Sequence, residues 1–575
     1  MKPGLRFARA AILILLALLA FAAVVPGGDF IFDDHVLIER NTDLQHSDVW
    51  WRSFARDYYA TSEQPGISGY YRPLAVLCNA FDVQVWRSGA RGGHITNILL
   101  HVAASVSLVA ALGALGVPAA AAWVSALLFA VHPSHAESVA FISGRVDVLV
   151  TLFVLLAMMA AASLRSRSWI GVGLASFAAF LSKEMSVVLP LLLLIVWQRR
   201  ATQPQWESAG RATRRGRKTQ AGARGWPVAQ MLAVAAAVVF MLFLRERALT
   251  TLLPSSAHGE RPAGAALLPL QSMLFMLSAL YAPAKLLVVE PSPAALHVLR
   301  LAVGCVVGVG LWVAAWLGVP RSRGALARAA VAGSVTLLPV LNLLPQETQL
   351  SERFLYLPSA FLLVPAGVLA AAGWRRGGVA SAVTAAAVSV AVVALLGLSS
   401  WRASMWRTDV QVWRQAVREE PERAAFWDRL GLARMEQRNY AAAEQAMRRA
   451  VQLDPRLFNG WFNLGALYEQ RRRYPEAIEA YRTALQFQPR SVGARVGLGR
   501  ALARSRDFDA AYDEFVAALQ VKPDHLDARR WAGMTALQTG DLQSAEVHLR
   551  AAQRLAPNDR AVQQALRKLQ QRRGD

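Results

Sequence analysis

The sequence predicts an all-α protein in two parts, a polytopic membrane helical region over 1–400 followed by a solenoid of paired helices over 401–575. Three observations predict this class. The chain is 54% hydrophobic and only 18% charged, with a mean hydropathy of +0.29, too apolar for a soluble chain of this length. Apolar runs recur along the N-terminal part, separated by short polar segments. Beyond them, Pro421, Pro455, Pro489, Pro523 and Pro557 stand 34 residues apart, as do Gly431, Gly465, Gly499 and Gly533.

Charge and cysteine content exclude several functions. The formal charge is +23, but the N-terminal positive charge lies in short segments between apolar runs, where the positive-inside rule accounts for it. No nucleic-acid motif accompanies it, so a nucleic-acid partner is not expected. The two cysteines are Cys78 and Cys305, which leaves no disulfide framework, CxxC motif or thiolate metal cage.

Lys2, Arg6 and Arg9 precede the apolar run 10–25, read as a retained first membrane helix with its start in the cytoplasm. A polar loop over 27–92 follows and is read as external. It carries Asp29, Asp33, Asp34, Glu39, Asp43, Asp48, Asp57 and Glu63 among several Trp and Tyr residues. Arg72-Pro73 opens an amphipathic helix to Trp86 that suits a membrane interface.

Apolar segments then occupy 94–115, 117–131, 147–162, 170–181 and 185–197, several shorter than the roughly 20 residues a bilayer requires. The loop 198–225 holds Arg199, Arg200, Arg211, Arg214, Arg215, Arg217, Lys218 and Arg224 against Glu207. It is read as a cytoplasmic, disordered connector. Residues 226–244 cross outward and leave 245–261 outside. Spans at 296–317, 325–344, 354–372 and 379–398 follow, with Arg321, Arg323, Arg328, Arg375 and Arg376 marking the inner side. That polarity leaves 267–289 beginning and ending outside, hence re-entrant or interfacial and broken near Pro283. The expectation is about eleven spans with the C-terminal part external.

In the repeats, Trp427, Leu430, Gly431 and Trp461, Leu464, Gly465, Tyr468 match the tetratricopeptide pattern. There, small residues let two antiparallel helices approach and the proline ends the second. Four full repeats are expected over about 424–559, with a half repeat around Trp413 and a capping helix to Arg572.

With this topology the polar groups at the outer helix ends gather in five stretches: Phe32-Asp33-Asp34; Tyr71-Arg72-Pro73; His132-Pro-Ser-His135-Ala-Glu137 through Gly144-Arg145-Val-Asp147; Ser182-Lys183-Glu184; and Ser351-Glu352-Arg353-Phe-Leu-Tyr356. Ionisable residues beside a bilayer are costly unless they pair or work. The bland reading makes the two aspartates a helix cap, and Arg145 with Asp147, Lys183 with Glu184 and Glu352 with Arg353 mere neighbouring ion pairs. His132 and His135, with Glu137 as third donor, follow no zinc spacing; capping and hydrogen bonding are expected of them, and no metal is assigned. The functional reading is a site where Arg and Lys hold the phosphate of a lipid carrier. An aspartate removes the proton of an acceptor hydroxyl, and the cations absorb the charge of the departing phosphate.

The ordered set Phe-Asp-Asp, Tyr71-Arg-Pro-Leu74, His132-Pro-Ser-His-Ala-Glu-Ser-Val139, Gly144-Arg-Val-Asp147, Ser182-Lys-Glu184 and Ser351-Glu-Arg-Phe-Leu-Tyr-Leu-Pro-Ser359, followed by tetratricopeptide repeats, resembles the TMTC family of transmembrane and tetratricopeptide-repeat O-mannosyltransferases. The resemblance runs along nearly the whole chain. Ala136 and Val146 depart from the residues the family more often carries there. It implies a GT-C glycosyltransferase fold, a polyprenyl-phosphate-linked sugar as donor, and inverting transfer of mannose or another hexose to Ser or Thr. Asp33 and Asp34 match the acidic motif and are the candidate catalytic bases. Arg145, Lys183 and Arg353 are the candidate phosphate contacts. Arg72, His132, His135, Glu137, Asp147, Glu184, Glu352 and Tyr356 are expected to support them.

No cofactor is assigned and no divalent metal is required by this reading. The expected partners are the bilayer, the lipid-linked sugar, and an acceptor or partner protein held by the repeats. The short repeat array and Arg-rich usage point to a bacterial cytoplasmic membrane. Two other functions compete: a non-catalytic membrane-anchored repeat scaffold, and a transferase acting on envelope glycan or lipid.

Overall fold

The computed structural model describes residues 3–59, 70–87, 89–163, 165, 167–202, 214–249, 268–283, 298–341 and 351–574. The chain forms two compact units, Met1–Val412 and Trp413–Asp575, and no strand occurs among the described residues. The division falls past residue 400 because 401–412 fold back onto the first unit. There the Trp406 ring stacks on Phe141 at 6.0 Å and meets Phe32 edge-on, and Arg402 is fully buried.

In the first unit, apolar runs form helices because a helix satisfies every backbone group within itself, the condition for crossing lipid. Six described helices are long and apolar enough to span, or seven if the pair Ala302–Gly318 and Pro320–Val340, bent by 106°, counts as one. The expected count of eleven is therefore not reached by length. Helices occur in all eleven expected segments, but Ala119–Ala130, Ser168–Phe180 and Leu189–Thr202 have only 12, 13 and 14 residues, and two segments form the bent pair. The apolar core lies around the span at Ile142–Ala162, 72% buried, and that at Glu352–Arg376, 89% buried, whereas Gly378–Met405 is only 6% buried and presents its sides outward. Close approach uses glycine: a Cβ on Gly367 would stand 2.4 Å from the Ala121 carbonyl oxygen.

One sequence expectation is corrected here. The basic connector is not wholly irregular, since one helix runs from Arg214 to Leu249 straight through Pro227. Arg, Lys, Gln and Ala are good helix formers, and the apolar half supplies a nucleus from which the helix extends. Residues 203–213 lie outside the described residues. The segment read as re-entrant forms the helix Leu268–Tyr281 and leaves it just before Pro283; its continuation over 284–289 lies outside the described residues, as do 250–261 of the expected external loop.

The second unit pairs Ala424–Glu436 with Tyr440–Leu453, Phe458–Gln470 with Tyr474–Phe487, Val492–Arg504 with Phe508–Val521, and Leu526–Thr539 with Leu542–Leu555, and closes with Arg560–Arg573. The 34-residue glycines have a steric cause. A Cβ at Gly431, Gly465, Gly499 or Gly533 would come within 2.5–2.7 Å of Met447, Tyr481, Phe515 or Leu549 of the paired helix. The prolines have a second role: each carbonyl accepts a hydrogen bond from the side chain six residues on, namely Trp427, Trp461, Arg495, Arg529 and Gln563. The tie persists although the donor changes identity, because any side-chain N–H of sufficient reach serves.

Candidate active site

The acidic stretch is shaped by Phe32, whose φ of 50° places a non-glycine residue in the left-handed region. That conformation costs about 1–2 kcal/mol. Here it is held by its N–H donating to the Asp409 carboxylate at 3.2 Å and by its ring edge-on to Phe141 and Trp406. The turn sends the two aspartates to different environments. Asp33 is exposed, and its Oδ2 accepts from the Tyr59 hydroxyl at 3.0 Å. Asp34 is fully buried; its Oδ1 accepts from the Ser143 N–H at 2.8 Å and hydroxyl at 2.5 Å. Burial pushes the Asp34 carboxyl up to about 7, against the lowering pull of Ser143. Asp34 thus ties this turn to the Ile142–Gly144 turn that opens the helix Arg145–Ala162.

A single π turn, His35–Glu39, follows, a geometry that recurs at functional sites. His35 bridges Glu39 at 2.6 Å and Asp409 at 2.9 Å. The Asp409 hydrogen bond, with Glu39 adding, raises its imidazole to about 9 despite burial, so it is an imidazolium at neutral pH.

The ion pairs differ from those that adjacency in sequence suggests. Arg145 pairs with Asp82 at 2.6 Å, Lys183 with Asp147 at 2.5 Å, and Arg72 with Glu184 at 2.9 Å. Arg353 stands 3.7 Å from Glu137, and Arg402 pairs with Glu352 at 2.5 Å. Neighbouring side chains on a helix start point apart, so each charge finds its counterpart on another element.

These contacts join most of the predicted residues. Tyr59, which holds Asp33, packs on Tyr58 and Tyr70, and the Arg72 guanidinium lies over those same two rings at 5.6 and 4.5 Å. Glu184, which pairs with Arg72, follows Lys183 in the chain, and the charges of Arg72 and Arg353 act on Lys183. The ring of Phe354 carries Lys183 at 5.4 Å and Arg353 at 5.7 Å. Arg72, Lys183 and Arg353 therefore form one cationic arc, reached from Asp33 through tyrosines. Glu137 anchors its far end by accepting from the Ser351 hydroxyl at 2.7 Å and the Arg353 N–H at 3.1 Å, with burial raising its carboxyl.

Other predicted residues stand apart from the arc. Arg145 has no exposed surface, and besides Asp82 it donates to the Ile142 and Gly93 carbonyls. His132 accepts from the Ser134 N–H, capping the Pro133–His135 turn, and its other nitrogen meets the Leu280 carbonyl at 2.9 Å. His135 meets the Ser359 hydroxyl at 2.9 Å, and Tyr356 meets His101 at 2.6 Å. These imidazoles and Glu137 each turn to separate partners. Sequence reading missed Asp82, Ser143, His101, Arg402, Asp409 and Tyr59. Only Tyr59 lay in a stretch already marked as aromatic; the others are single residues in motifs' gaps or inside helices, with no local signal.

With this geometry in hand, the chain can be set beside known proteins. A family model described as tetratricopeptide repeat matches residues 410–458, 429–492 and 496–560. The chain is 38% identical over 154 residues to the human protein O-mannosyl-transferase TMTC4, covering 23% of this chain and 20% of that one. It is 32% identical over 152 residues to the Caenorhabditis elegans protein O-mannosyl-transferase F38B6.6, covering 26% and 22%. With mouse protein O-mannosyl-transferase TMTC2 it shares 31% identity over 169 residues, covering 28% and 20%. It thus spans about a fifth of the length of these relatives. Among solved structures, MamA from Desulfovibrio magneticus RS-1 is 16% identical, covering 26% of this chain and 85% of that one at a TM-score of 0.25. YrrB, titled a TPR protein with an unusual peptide-binding site, is 19% identical, covering 34% and 93% at a TM-score of 0.26. The chain carries tetratricopeptide repeats and helices long and apolar enough to cross a membrane, and over about a quarter of its length it is similar to these TMTC proteins.

Proposed function

We propose that the chain is a membrane glycosyltransferase of the GT-C type that moves mannose or another hexose from a polyprenyl phosphate to Ser or Thr hydroxyls of exported proteins. The observation that carries the reading is an exposed carboxylate, Asp33, joined through Tyr59 to the arc of Arg72, Lys183 and Arg353. The relatives to which the chain is similar over part of its length, named protein O-mannosyl-transferases, agree with it.

Asp33 takes the proton of the acceptor hydroxyl, whose oxygen attacks the anomeric carbon from the face opposite the phosphate. The bond from that carbon to the phosphate oxygen breaks, the electron pair leaves with the phosphate, and the anomeric configuration inverts. Arg353 is the cation best placed to receive that charge. It is 27% exposed, and its contact to Glu137 at 3.7 Å is looser than the other pairs. Lys183 and Arg72, each already neutralised, supply a second rank of positive potential. Asp34 acts as a positioning residue for the turn, and Arg145 with Asp82 fixes the helix that carries Asp147. The reading routes no step through a metal. It places the enzyme in a bacterial cytoplasmic membrane, N-terminus inside, with the repeats outside presenting the acceptor.

The test is transfer by purified enzyme from a panel of polyprenyl-phosphate hexoses to a Ser/Thr peptide. Asp33→Asn is expected to abolish transfer while Asp34→Asn retains it, and full activity in Asp33→Asn overturns the assignment. The repeats favour a scaffold as the competing reading; a wild-type protein that binds a partner and transfers nothing would establish it.

A further inference from the structure

A carboxylate from the far end of the first unit grips the Asp33 turn on both sides of the aspartate pair. Asp409 lies 377 residues beyond Phe32, and its Oδ1 accepts from the Phe32 N–H at 3.2 Å. Its Oδ2 meets His35 Nε2 at 2.9 Å. The Asp409 side chain is only 14% exposed, and Glu39 holds the other nitrogen of His35 at 2.6 Å. The stretch leading to Asp409 runs along the same segment: the Arg407 carbonyl accepts from the Asp29 N–H at 2.8 Å, Arg407 Nε donates to the Ala23 carbonyl at 2.6 Å, and the Trp406 ring stands edge-on to Phe32.

What this grip controls follows from Phe32. The left-handed conformation is unfavourable for an aromatic residue, so without an outside hold the backbone at Phe32 would relax and redirect the residues after it. The turn then closes on itself: the Asp34 N–H donates to the Ile31 carbonyl at 2.9 Å, and the Val36 and Leu37 N–H groups donate to the Asp33 carbonyl at 3.1 and 2.8 Å. Asp34 is moored to Ser143, whereas the Asp33 carboxylate is exposed and takes one bond from the Tyr59 hydroxyl. The direction of Asp33 is therefore set largely by the backbone at Phe32. A general base works only within hydrogen-bond reach of the proton it takes, so a small change in this turn costs rate without touching the cationic arc. We propose that Asp409 is a positioning residue for Asp33: its carboxylate brackets the turn at Phe32 and His35, holds Phe32 left-handed, and so aims Asp33 at the acceptor hydroxyl. The effect on transfer rests on the reading above, whereas the hold on the turn does not.

The experiment compares Asp409→Ala and Asp409→Asn with wild type as full chains in lipid nanodiscs, by initial rates at varied donor concentration and by hydrogen exchange of 30–37, both well below the melting range. Asp409→Ala is expected to speed exchange of 30–37 and to lower kcat about tenfold or more, the scale of one lost hydrogen bond to a charged group. KM for the donor should stay within about twofold of wild type. A purely structural role would lower the melting temperature and leave kcat at its wild-type value below the melting range, and that result overturns the proposal. Asp409→Asn keeps an oxygen for the Phe32 N–H and an amide that donates to a neutral His35, so it is expected to recover most of the lost kcat; a loss as large as that of Asp409→Ala overturns the bracket. Glycine takes a positive φ without a Cβ clash, so Asp409→Ala should cost less rate in a Phe32→Gly chain than in wild type, and equal costs count against the proposal. Should Asp409→Ala fail to fold, His35→Ala removes one side of the bracket: a fall in kcat at unchanged KM supports the proposal, and an unchanged kcat overturns it. Full activity in Asp33→Asn would remove the base, and with it the effect on transfer, while the exchange of 30–37 still decides whether Asp409 holds the turn.

Discussion

Replacing Asp34 by Asn separates its structural role from a catalytic one and does so with a pH signature. The carboxyl rises from an ordinary 3.8 to about 7 because it is buried, which corresponds to about 4 kcal/mol between its two protonation states. The folded state therefore holds the proton more tightly than the unfolded state. The associated stability is fully present below pH 3.8 and is lost as pH rises through about 7. Asn does not titrate. Its oxygen can keep both Ser143 contacts, but its amide would face the Ile31 N–H that now donates to Oδ2 at 3.4 Å, a mismatch of about 1–3 kcal/mol. At pH 5 the variant should be the less stable protein; by pH 8 the wild type has lost what the Asn variant never had, and the order should level or reverse. Thermal unfolding of both proteins in the same detergent and at one scan rate, from pH 4.5 to 8.5, reads the difference as several degrees, given roughly 2–4 °C per kcal/mol for domains of moderate size. A gap between the two that stays constant with pH would mean that Asp34 is charged throughout, and the assignment of Asp34 to structure would fall with it.

Other predictions follow from the same contacts. Asp33→Asn should lower transfer by about 10²–10⁴-fold with melting behaviour unchanged, because the side chain is exposed, and Tyr59→Phe should produce a smaller loss by freeing the carboxylate; initial rates with a synthetic donor measure both. Arg402→Leu should destabilise the first unit by about 3–5 kcal/mol by removing the counter-charge that Arg402 gives the buried Glu352, and the double variant Glu352→Gln/Arg402→Leu should recover part of that in the same melting assay. Arg353→Ala should lower kcat more than it raises KM, since its charge is called on as phosphate leaves; equal effects on both would remove it from the departing step. In the repeats, Gly499→Ala would bring a Cβ within 2.6 Å of the Phe515 ring and should cost about 1–3 kcal/mol, visible as faster hydrogen exchange over 492–521.

Some of this molecule was legible from sequence because the relevant physics is local or periodic. Pro421 and Gly431 announce the repeat since every 34-residue unit solves the same steric problem, and the solution recurs at Gly465, Gly499 and Gly533. Apolar runs announce membrane helices because lipid offers backbone groups no other partner. Their number is harder to read: a 12-residue helix such as Ala119–Ala130 is as apolar as a full span, and composition carries no measure of depth. The basic connector misled for a related reason, since Arg and Lys signal polarity and also favour helix.

The candidate site was legible as a set of residues but not as an arrangement. The sequence by itself determined which ionisable groups stand at helix ends, because charges are tolerated near a bilayer only there. Only the tertiary structure decided that Arg145 belongs to Asp82, Lys183 to Asp147 and Glu352 to Arg402, and that adjacent Asp33 and Asp34 face different surroundings. Partner choice among charges depends on distance and burial, and these are set by helices far apart in the chain, where no local pattern reaches.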